Sequence, residues 1–180
     1  MEFKNSIFIA TSLDGYIADK NGGIDWLLSV PNPDHDDMGY NSFMENIDAL
    51  VMGRVTYETV LGFQGEWPYP RPVFVLSNTL NSIPDHLNEK VFLIQGKPKE
   101  ILETIHSKGF SRLYIDGGKT IQSFLKEGLI NELIITTIPI LLGGGFSLFG
   151  ELNSLINFEL KSSKVYLGNY VQNHFIRLKK

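Results

Sequence analysis

The chain has 180 residues, a formal net charge of -4 and no cysteine. This length fits one domain with a sizeable core, so we expect residues 1–180 to fold as a single unit. The lack of cysteine excludes a disulfide framework, a zinc–thiolate site and a cysteine nucleophile, and it favours a cytoplasmic protein. The excess of acidic residues argues against a surface that binds nucleic acid by neutralising phosphates.

The amino-terminal segment contains one lysine and a short apolar run before Asp14, which does not fit a signal peptide. No stretch approaches the ~20 apolar residues of a membrane span. The four histidines are scattered without metal-ligand spacing, so we assign none of them to a metal. We therefore expect a soluble protein that acts on a small molecule and not on a membrane.

Compact apolar runs alternate with amphipathic stretches along the chain. The apolar runs suit strands of a sheet covered on both faces, and they are 6–12, 49–53, 72–77, 90–95, 112–116 and 132–140. Short helices are predicted between them at 55–62, 97–109 and 119–128. In the second helix, Ile101, Leu102 and Ile105 form a stripe with helical spacing, and Gly109 is the expected C-cap.

The last part of the chain alternates apolar and polar residues on both sides of Gly168-Asn169. This pattern is typical of an antiparallel hairpin with a two-residue turn. We therefore predict an α/β fold, with a central and mostly parallel sheet flanked by helices and an antiparallel C-terminal hairpin.

Three strand ends combine small, hydroxylated and cationic residues: MGRVT at 52–56, VLSNT at 75–79 and IDGGKT at 115–120. In open α/β sheets, ligands bind at the carboxyl ends of strands, where helix N-termini present free N–H groups. A tight turn explains each junction taken singly, but three together favour a nucleotide. IDGGKT is not the P-loop of a nucleoside triphosphatase, because Leu113 stands where that motif requires its first glycine.

Six segments, three of which include or overlap these strand ends, follow one another in the order IATSLDGYIAD (9–19), GGIDWL (22–27), DALVMGRVTYE (48–58), FVLSN (74–78), LYIDGGKTIQSFL (113–125) and IPILLGGGFSLF (138–149). This ordered set resembles the dihydrofolate reductase superfamily, and more closely the branch related to the reductase domain of bacterial riboflavin biosynthesis. The resemblance implies a dihydrofolate reductase-like fold. It also implies an NADPH-dependent reductase that transfers hydride to a small heterocyclic, pyrimidine- or pterin-like substrate, in the manner of a 5-amino-6-ribosylaminouracil reductase.

The resemblance also places residues around the NADPH cofactor. The residues that would face its phosphates are Gly53, Arg54, Thr56, Gly117, Gly118, Lys119 and Thr120. The adenosine 2′-phosphate would lie near Ser77 and Asn78. The nicotinamide side would be lined by Ala10, Ile17 and Trp26. The family often has a cis Gly-Gly peptide at the second phosphate-facing turn. The extra phosphate of NADPH needs cationic partners, and Arg54 and Lys119 are the ones available.

The resemblance also implies a homodimer, since relatives in this branch are commonly dimers. The apolar run 132–150 would then lie at a subunit contact, and the alternative is that it forms a covered central strand.

Reduction of a C=N bond needs a proton as well as a hydride. Asn32 is predicted to cap a helix opened by Pro33, whose inward face would carry Tyr40, Phe43, Met44 and Ile47. Asp36 and Asp37 would lie one turn before Tyr40 on that face, and with Trp26 they are the candidate catalytic residues. Acidic residues near a helix N-terminus also stabilise the helix dipole without any catalytic role, so this alternative stays open.

A protein of another class is also consistent with the sequence. In dihydrofolate reductase a buried carboxylate binds the pterin ring, and no carboxylate of this chain matches it cleanly. A nucleotide-binding sensor that keeps the fold without catalysis would explain this difference. A true dihydrofolate reductase ranks below both functions, because the spacing from Trp26 to these carboxylates is longer than in that enzyme.

Overall fold

The computed structural model describes residues 3–29 and 31–178. Within these ranges the strands are β1 Lys4–Ser12, β2 Tyr16–Ala18, β3 Ala49–Gly53, β4 Val73–Leu76, β5 Val91–Ile94, β6 Arg112–Asp116, β7 Glu132–Ile138, β8 Phe146–Ser147, β9 Phe158–Tyr166 and β10 Tyr170–Arg177. The helices are α1 Asp25–Leu28, α2 Tyr40–Glu45, α3 Arg54–Leu61, α4 Pro98–Ser107 and α5 Gly118–Lys126, and a 3-10 turn covers Asp85–Leu87. The longest of these helices has 10 residues, and none described here could cross a membrane.

Eight strands form one sheet in the order β5-β4-β3-β6-β1-β7-β10-β9. The first six strands in that order are mutually parallel, whereas β10 runs antiparallel to β7, and β9 runs antiparallel to β10. Strands β2 and β8 form a separate two-stranded ribbon. This architecture confirms the predicted α/β fold with a mostly parallel sheet and an antiparallel C-terminal hairpin.

The sheet is covered on both faces by separate apolar clusters. On one face, residues of α4 and α5 such as Ile105 and Phe124 are fully buried against Val51 and Ile115. The other face packs against α2 and α3 and includes Tyr57. Each fully buried large apolar side chain contributes roughly 1.5–3 kcal/mol to the free energy of folding, so these two clusters provide most of the stabilisation of the sheet.

The C-terminal hairpin differs from the prediction in its turn. Tyr166 pairs directly with Tyr170, so three residues, 167–169, form the connection. The two-residue prediction was wrong because Leu167 takes up a positive φ of 50° beside Gly168, which lengthens the turn by one residue.

The helix predicted to open at Pro33 is also wrong. The segment 31–39 forms turns and α2 starts only at Tyr40. His35 and Met38 have φ values of 51° and 52°, which a right-handed helix cannot accommodate. Asn32 does not cap a helix, because its side chain bonds both the N–H and the C=O of Asp36 at 2.8 Å.

The first part of the apolar run 132–150 forms an interior strand. β7 lies between β1 and β10 and pairs with both over most of its length. Residues 132–138 therefore form a covered strand, which is the alternative named above, whereas the rest of the run exposes apolar side chains such as Leu141 and Phe149. All peptide bonds in the described ranges are trans, including those of the Gly117-Gly118 turn.

Candidate functional site

β1 and β6 separate toward their carboxyl ends. Their ladder ends at the pair Ser6 and Tyr114, whereas β1 continues to pair with β7 as far as Ser12. The phenol of Tyr114 donates a hydrogen bond of 2.8 Å to the Phe8 carbonyl. A crevice therefore opens beyond this point between β1 and β6, which is where α/β sheets bind ligands.

Two strand-to-helix junctions pack against each other beside this crevice. A Cβ atom on Gly53, at the end of β3, would lie 2.9 Å from the hydroxyl oxygen of Thr120 on α5. Reciprocally, a Cβ atom on Gly117, before α5, would overlap with the hydroxyl of Thr56 on α3. Each glycine thus makes room for the threonine of the other junction, and two of the three predicted strand ends converge.

The convergence places two helix N-termini side by side. α3 starts at Arg54 and α5 at Gly118, and the first N–H groups of a helix have no partner within it. Their dipoles add positive potential at the same place. Gly117 has φ 88°, a conformation that favours glycine. The pair of junctions therefore has the properties of a binding site for phosphate groups.

The two cations of these junctions lie at the surface. Arg54 is exposed and donates from Nη1 to both oxygens of Glu58, at 2.8 and 3.1 Å, one turn along α3. Lys119 is also exposed. An exposed pair at this spacing is worth only about 0.3–0.5 kcal/mol, so an anion of higher charge can compete for the guanidinium.

The third predicted junction follows β4. The hydroxyl oxygen of Ser77 is buried and accepts the N–H groups of Thr79 and Leu80, at 3.1 and 2.9 Å. Ser77 therefore shapes the turn, while Asn78 is exposed beside it. β4 neighbours β3 in the sheet, so this turn lies at the same edge as Gly53.

Ile17 lies on β2, and the β2–β8 ribbon places it next to the junction between β6 and α5. Its Cδ1 atom would lie 2.9 Å from a Cβ atom on Gly118. The ribbon is anchored by Asp14, whose carboxylate accepts N–H groups of Leu142 and Gly143 at 3.1 and 2.8 Å. Ala10 lies on β1, directly opposite Thr136 of β7.

The predicted catalytic residues lie on α1 and in the turns that precede α2. Asp37 accepts the N–H groups of Gly39 and Asn41, and these hydrogen bonds lower the pKa of its exposed carboxyl. Asp36 accepts the N–H of Met38 at 2.7 Å. Trp26 lies on α1, with its indole N–H buried and without a partner in the described ranges. These contacts give both carboxylates a structural role in the turn, and their catalytic role stays a prediction.

Asp116 is a site residue that the sequence reasoning missed. It ends β6 beside the crevice, is partly buried and accepts the N–H of Gly117 at 2.8 Å. Burial raises the pKa of its carboxyl to about 6, although the hydrogen bond from the Gly117 N–H acts in the opposite direction. A strand-terminal acid before two glycines is the signal that could have identified it.

Tyr40, Tyr69 and Tyr114 belong to the apolar cluster on the face of the sheet that Asp116 shares with Tyr114, because alternate residues of a strand face the same side. Burial and the charge of Asp116 together raise the pKa of Tyr40, at the start of α2, to about 12. The same two causes hold the pKa values of Tyr69 and Tyr114 well above the usual range. Trp67 belongs to the same cluster, with its ring centroid 5.4 Å from that of Tyr69. The face of the sheet that carries Asp116 is therefore rich in aromatic side chains.

The chain belongs to the RibD C-terminal domain family, whose sequence profile matches residues 6–171. This confirms the resemblance to the riboflavin branch. Over 179 residues it is 36% identical to the uncharacterized protein YwjB of Bacillus subtilis (strain 168), covering 98% of this chain and 99% of that protein.

Solved structures agree with this assignment. A putative riboflavin biosynthesis protein from Shewanella sp. PV-4 is 55% identical, with a TM-score of 0.94 over 98% of this chain and 99% of the other. A diaminohydroxyphosphoribosylaminopyrimidine deaminase/5-amino-6-(5-phosphoribosylamino)uracil reductase from Thermotoga maritima shares the fold at 13% identity, with a TM-score of 0.74 over 98% of this chain and 57% of that one.

A further solved structure confirms the fold class. Dihydrofolate reductase from Enterococcus faecalis, in a complex that includes NADP(H), superposes with a TM-score of 0.62 at 20% identity, over 98% of this chain and 97% of that enzyme. The fold is therefore dihydrofolate reductase-like.

Proposed function

We propose that the protein is an NADPH-dependent oxidoreductase that transfers hydride to a small heterocyclic substrate. The observation that carries the proposal is the reciprocal packing of Gly53 with Thr120 and of Gly117 with Thr56. It joins two helix N-termini into one surface for phosphate groups at the edge of the crevice. Family membership supports a reductase of the riboflavin type.

The residues present fit a dinucleotide. Side chains at Gly53, Gly117 and Gly118 would occupy the space between the junctions and the ribbon, and their absence leaves the backbone accessible to a pyrophosphate. The first turns of α3 and α5 would bind the pyrophosphate, assisted by Thr56, Thr120 and Lys119. Arg54, Ser77 and Asn78 would receive the adenosine 2′-phosphate end, and Ala10, Ile17 and Trp26 the nicotinamide. When bound, NADPH supplies the hydride.

The proposed substrate is a flat ring of the pyrimidine or pterin type, as in a 5-amino-6-ribosylaminouracil reductase. Tyr40 and Tyr69 support this class, because they lie in the aromatic-rich cluster on one face of the sheet, and aromatic side chains favour flat, conjugated ligands. A true dihydrofolate reductase is the lower-ranked variant, and NADPH oxidation with dihydrofolate tests it directly.

A fluorescence titration with NADPH and NADH tests the cofactor part of the proposal. We expect saturable binding of both nucleotides, with NADPH the tighter ligand. The catalytic part is tested by NADPH oxidation with pyrimidinones, pterins and cyclic imines as substrates. A protein that shows no saturable NADPH binding is not a reductase of this kind.

The alternative is an NADPH-binding sensor without catalysis. The local hydrogen bonds of Asp36 and Asp37 favour it, since these acids have structural partners in the turn. Tight NADPH binding without oxidation across the same substrates would support the sensor, and steady turnover on any of them would reject it.

We also propose a homodimer, formed through the C-terminal hairpin. β9 is an edge strand, and Leu160, Val165 and Val171 expose 53%, 63% and 37% of their surface on β9 and β10. An open edge with apolar side chains is a surface that proteins normally cover. Light scattering should give twice the chain mass, and the double change Leu160→Lys and Val165→Lys should give the monomer, whereas Leu155→Lys in the preceding loop should not.

A further inference from the structure

A cavity of about 320 Å³ lies at the amino ends of the strands, on the face of the sheet that α2 covers. Three strands line it with their first residues, Lys4 of β1, Arg112 of β6 and Glu132 of β7. Its wall on the helix side consists of Ser42, Phe43, Asn46 and Ile47. Pockets that bind small organic ligands have volumes of roughly 300–1,000 Å³, so this space, which we call the α2 cavity, is large enough for one.

The α2 cavity is remote from the phosphate-binding junctions. Arg112 begins β6 and Gly117 follows its last residue, and these five positions (117 against 112) span about 16 Å of extended chain. The crevice opens only beyond the pair Ser6 and Tyr114. A ligand beside Arg112 would therefore not occupy the place proposed for NADPH.

Two cations lie side by side at this end of the sheet. Lys4 of β1 pairs directly with Arg112 of β6, so the two side chains project from the same face. Both line the α2 cavity, and their side chains are 45% and 47% exposed. Like charges in direct pairing destabilise a sheet, so each of these cations needs an anionic partner.

Glu132 is the buried partner of Lys4. Its side chain is 7% exposed and accepts hydrogen bonds from Lys4 Nζ at 2.8 Å and Ser6 Oγ at 2.5 Å, while Oε1 lies 2.7 Å from Nε2 of His174. Burial acts to raise the pKa of the Glu132 carboxyl, but these contacts outweigh burial and lower it. The carboxylate therefore already has partners from three side chains.

This cluster is not a catalytic triad, although it contains a serine, a histidine and an acid. In a triad the histidine accepts the proton of the serine hydroxyl. Here the Ser6 hydroxyl donates to Glu132, and His174 contacts Glu132 as well. Neither residue activates the other, so the cluster provides a polar wall and no nucleophile.

Both cations have donors that these contacts do not use. A lysine ammonium has three N–H groups, and Lys4 directs one of them to Glu132. Arg112 donates from Nε and Nη2 to Asp48 at 3.1 and 2.7 Å, and within residues 3–29 and 31–178 its Nη1 has no partner. Two cations thus offer free N–H groups to one small anionic group.

The rest of the lining is largely apolar. The rings of Phe8 and Phe43 lie with centroids 5.1 Å apart and planes tilted by 34°, and Ile47 and Ile134 also line the space. Aromatic and branched side chains of this kind pack against an apolar or aromatic body. The α2 cavity therefore combines a cationic end with an apolar wall.

We propose that the α2 cavity is a binding site for a small organic acid, whose carboxylate contacts Lys4 and Arg112 while its apolar body packs against Phe8 and Phe43. Charge-assisted hydrogen bonds from lysine and arginine are the usual means of binding a carboxylate. The site goes beyond the proposed reductase function, because it requires neither NADPH nor the reducible substrate.

Gln172 connects this site with the loop before α2. Its side chain lines the α2 cavity, and Nε2 donates to the Met38 carbonyl and to the Thr136 hydroxyl, both at 3.0 Å. Met38 has a positive φ of 52°, a conformation that non-glycine residues adopt only when other contacts hold them there. The bound acid would therefore lie against the residue that holds this loop, and the Gln172 side-chain amide is a reporter of its arrival.

The test is an NMR titration of the ¹⁵N-labelled protein with 3-phenylpropionate. Its control is 3-phenylpropionamide, which has nearly the same shape and no charge. We expect saturable shifts of the Phe43 and Asn46 amides and of the Gln172 side-chain amide, without shifts at Gly53 and Gly117. The acid should bind roughly 10-fold or more tightly than the amide, which is the effect of a charge-assisted contact.

Lys4→Met tests the charge, because it removes the ammonium and keeps most of the length of the side chain. It should weaken binding of the acid by about 10-fold and leave binding of the amide unchanged. Lys90→Met, at an exposed position before β5, is the matched control and should change neither.

Ser42→Phe tests the place. Ser42 is exposed on α2 and lines the cavity, so a phenyl group there should fill the space and abolish binding of both ligands without harm to the fold. Asn41→Phe adds the same group at the neighbouring exposed position, which faces away from the lining, and should leave binding unchanged.

Equal affinities for the acid and the amide, or a normal affinity for the acid in Lys4→Met, would reject the site. Shifts of Gly53 and Gly117 in place of Phe43 and Gln172 would assign the acid to the phosphate-binding junctions and reject it too. If Lys4→Met does not fold, Ser42→Phe decides, and binding of the acid that persists in this variant overturns the proposal.

Discussion

Gly117 lies so close to Thr56 that a Cβ atom at position 117 would overlap with the threonine hydroxyl. The two residues belong to different strand-to-helix junctions, 61 positions apart by their numbers (117 against 56). Their contact links the strand ends of β3 and β6, which are neighbours in the sheet. It also makes residue 117 a sensitive test of whether the two junctions form one site.

The change Gly117→Ala should damage both the fold and cofactor binding. The positive φ of 88° disfavours alanine, and the new methyl group must displace Thr56. We expect a loss of roughly 2–4 kcal/mol in the free energy of unfolding, measured by urea denaturation, and loss of detectable NADPH binding.

Gly109→Ala is the control for this change. Gly109 has a similar φ of 93° but nothing within 4 Å of a Cβ atom. It should cost about 1–2 kcal/mol and leave NADPH affinity unchanged. Equal effects of both changes on affinity would show that the junctions do not bind the cofactor.

Arg54→Ala should reduce the preference for NADPH over NADH and leave stability nearly unchanged. The exposed pair with Glu58 is worth about 0.3–0.5 kcal/mol, whereas a guanidinium–phosphate contact contributes several times more. Glu58→Ala is the matched variant, because it releases Arg54 from its partner and should increase the preference. The ratio of the two dissociation constants measures both effects, and an unchanged ratio in Arg54→Ala places the 2′-phosphate elsewhere.

The sequence predicted those parts of the structure whose signal is local. The bounds of the predicted strands 49–53 and 112–116 match β3 and β6, because both strands are interior and apolar on both faces. Gly109 follows α4 with a positive φ, as its C-terminal position predicted. A strand followed by glycine and a helix is likewise a local pattern, so the junctions could be identified from sequence.

The features that depend on distant partners could not be predicted in this way. Asp116 owes its raised pKa to burial in tertiary structure, and its neighbours Tyr40 and Tyr69 are far from it in sequence. The helix predicted at Pro33 was wrong for a different, local reason, because acidic residues near a proline also suit a chain of turns. The separation of β1 from β6 is a property of the sheet as a whole.

Asp48 should account for part of the acid sensitivity of the fold. Burial raises the pKa of its carboxyl, but hydrogen bonds from Arg112 and Ser111 outweigh burial and hold the pKa well below the usual range. A lowered native pKa means that the stabilisation is complete above the ordinary value near 3.8 and is lost as the pH falls further.

Asp48→Asn should therefore cost roughly 1–3 kcal/mol at neutral pH and progressively less in acid. Urea denaturation at about pH 7 and about pH 3 measures the difference. Asp34→Asn, at an exposed position, is the control and should have little effect at either pH. A cost for Asp48→Asn that does not depend on pH would mean that its carboxylate is not the group that titrates.

Asp116 should have the opposite influence on stability, because its pKa in the folded protein is raised from 3.8 to about 6. Its favourable contribution is present below the ordinary pKa and is lost as the pH rises through about 6, since the folded protein must then hold an unpaired charge. Asp116→Asn removes this charge and should stabilise the protein by about 2 kcal/mol above pH ~7, with little difference at pH ~4. Denaturation curves at the two pH values check the sign. A less stable Asp116→Asn variant at the higher pH would show that the carboxylate already has a cationic partner. A gain in stability from removing a charged group is typical of residues that serve ligand binding at the expense of the fold.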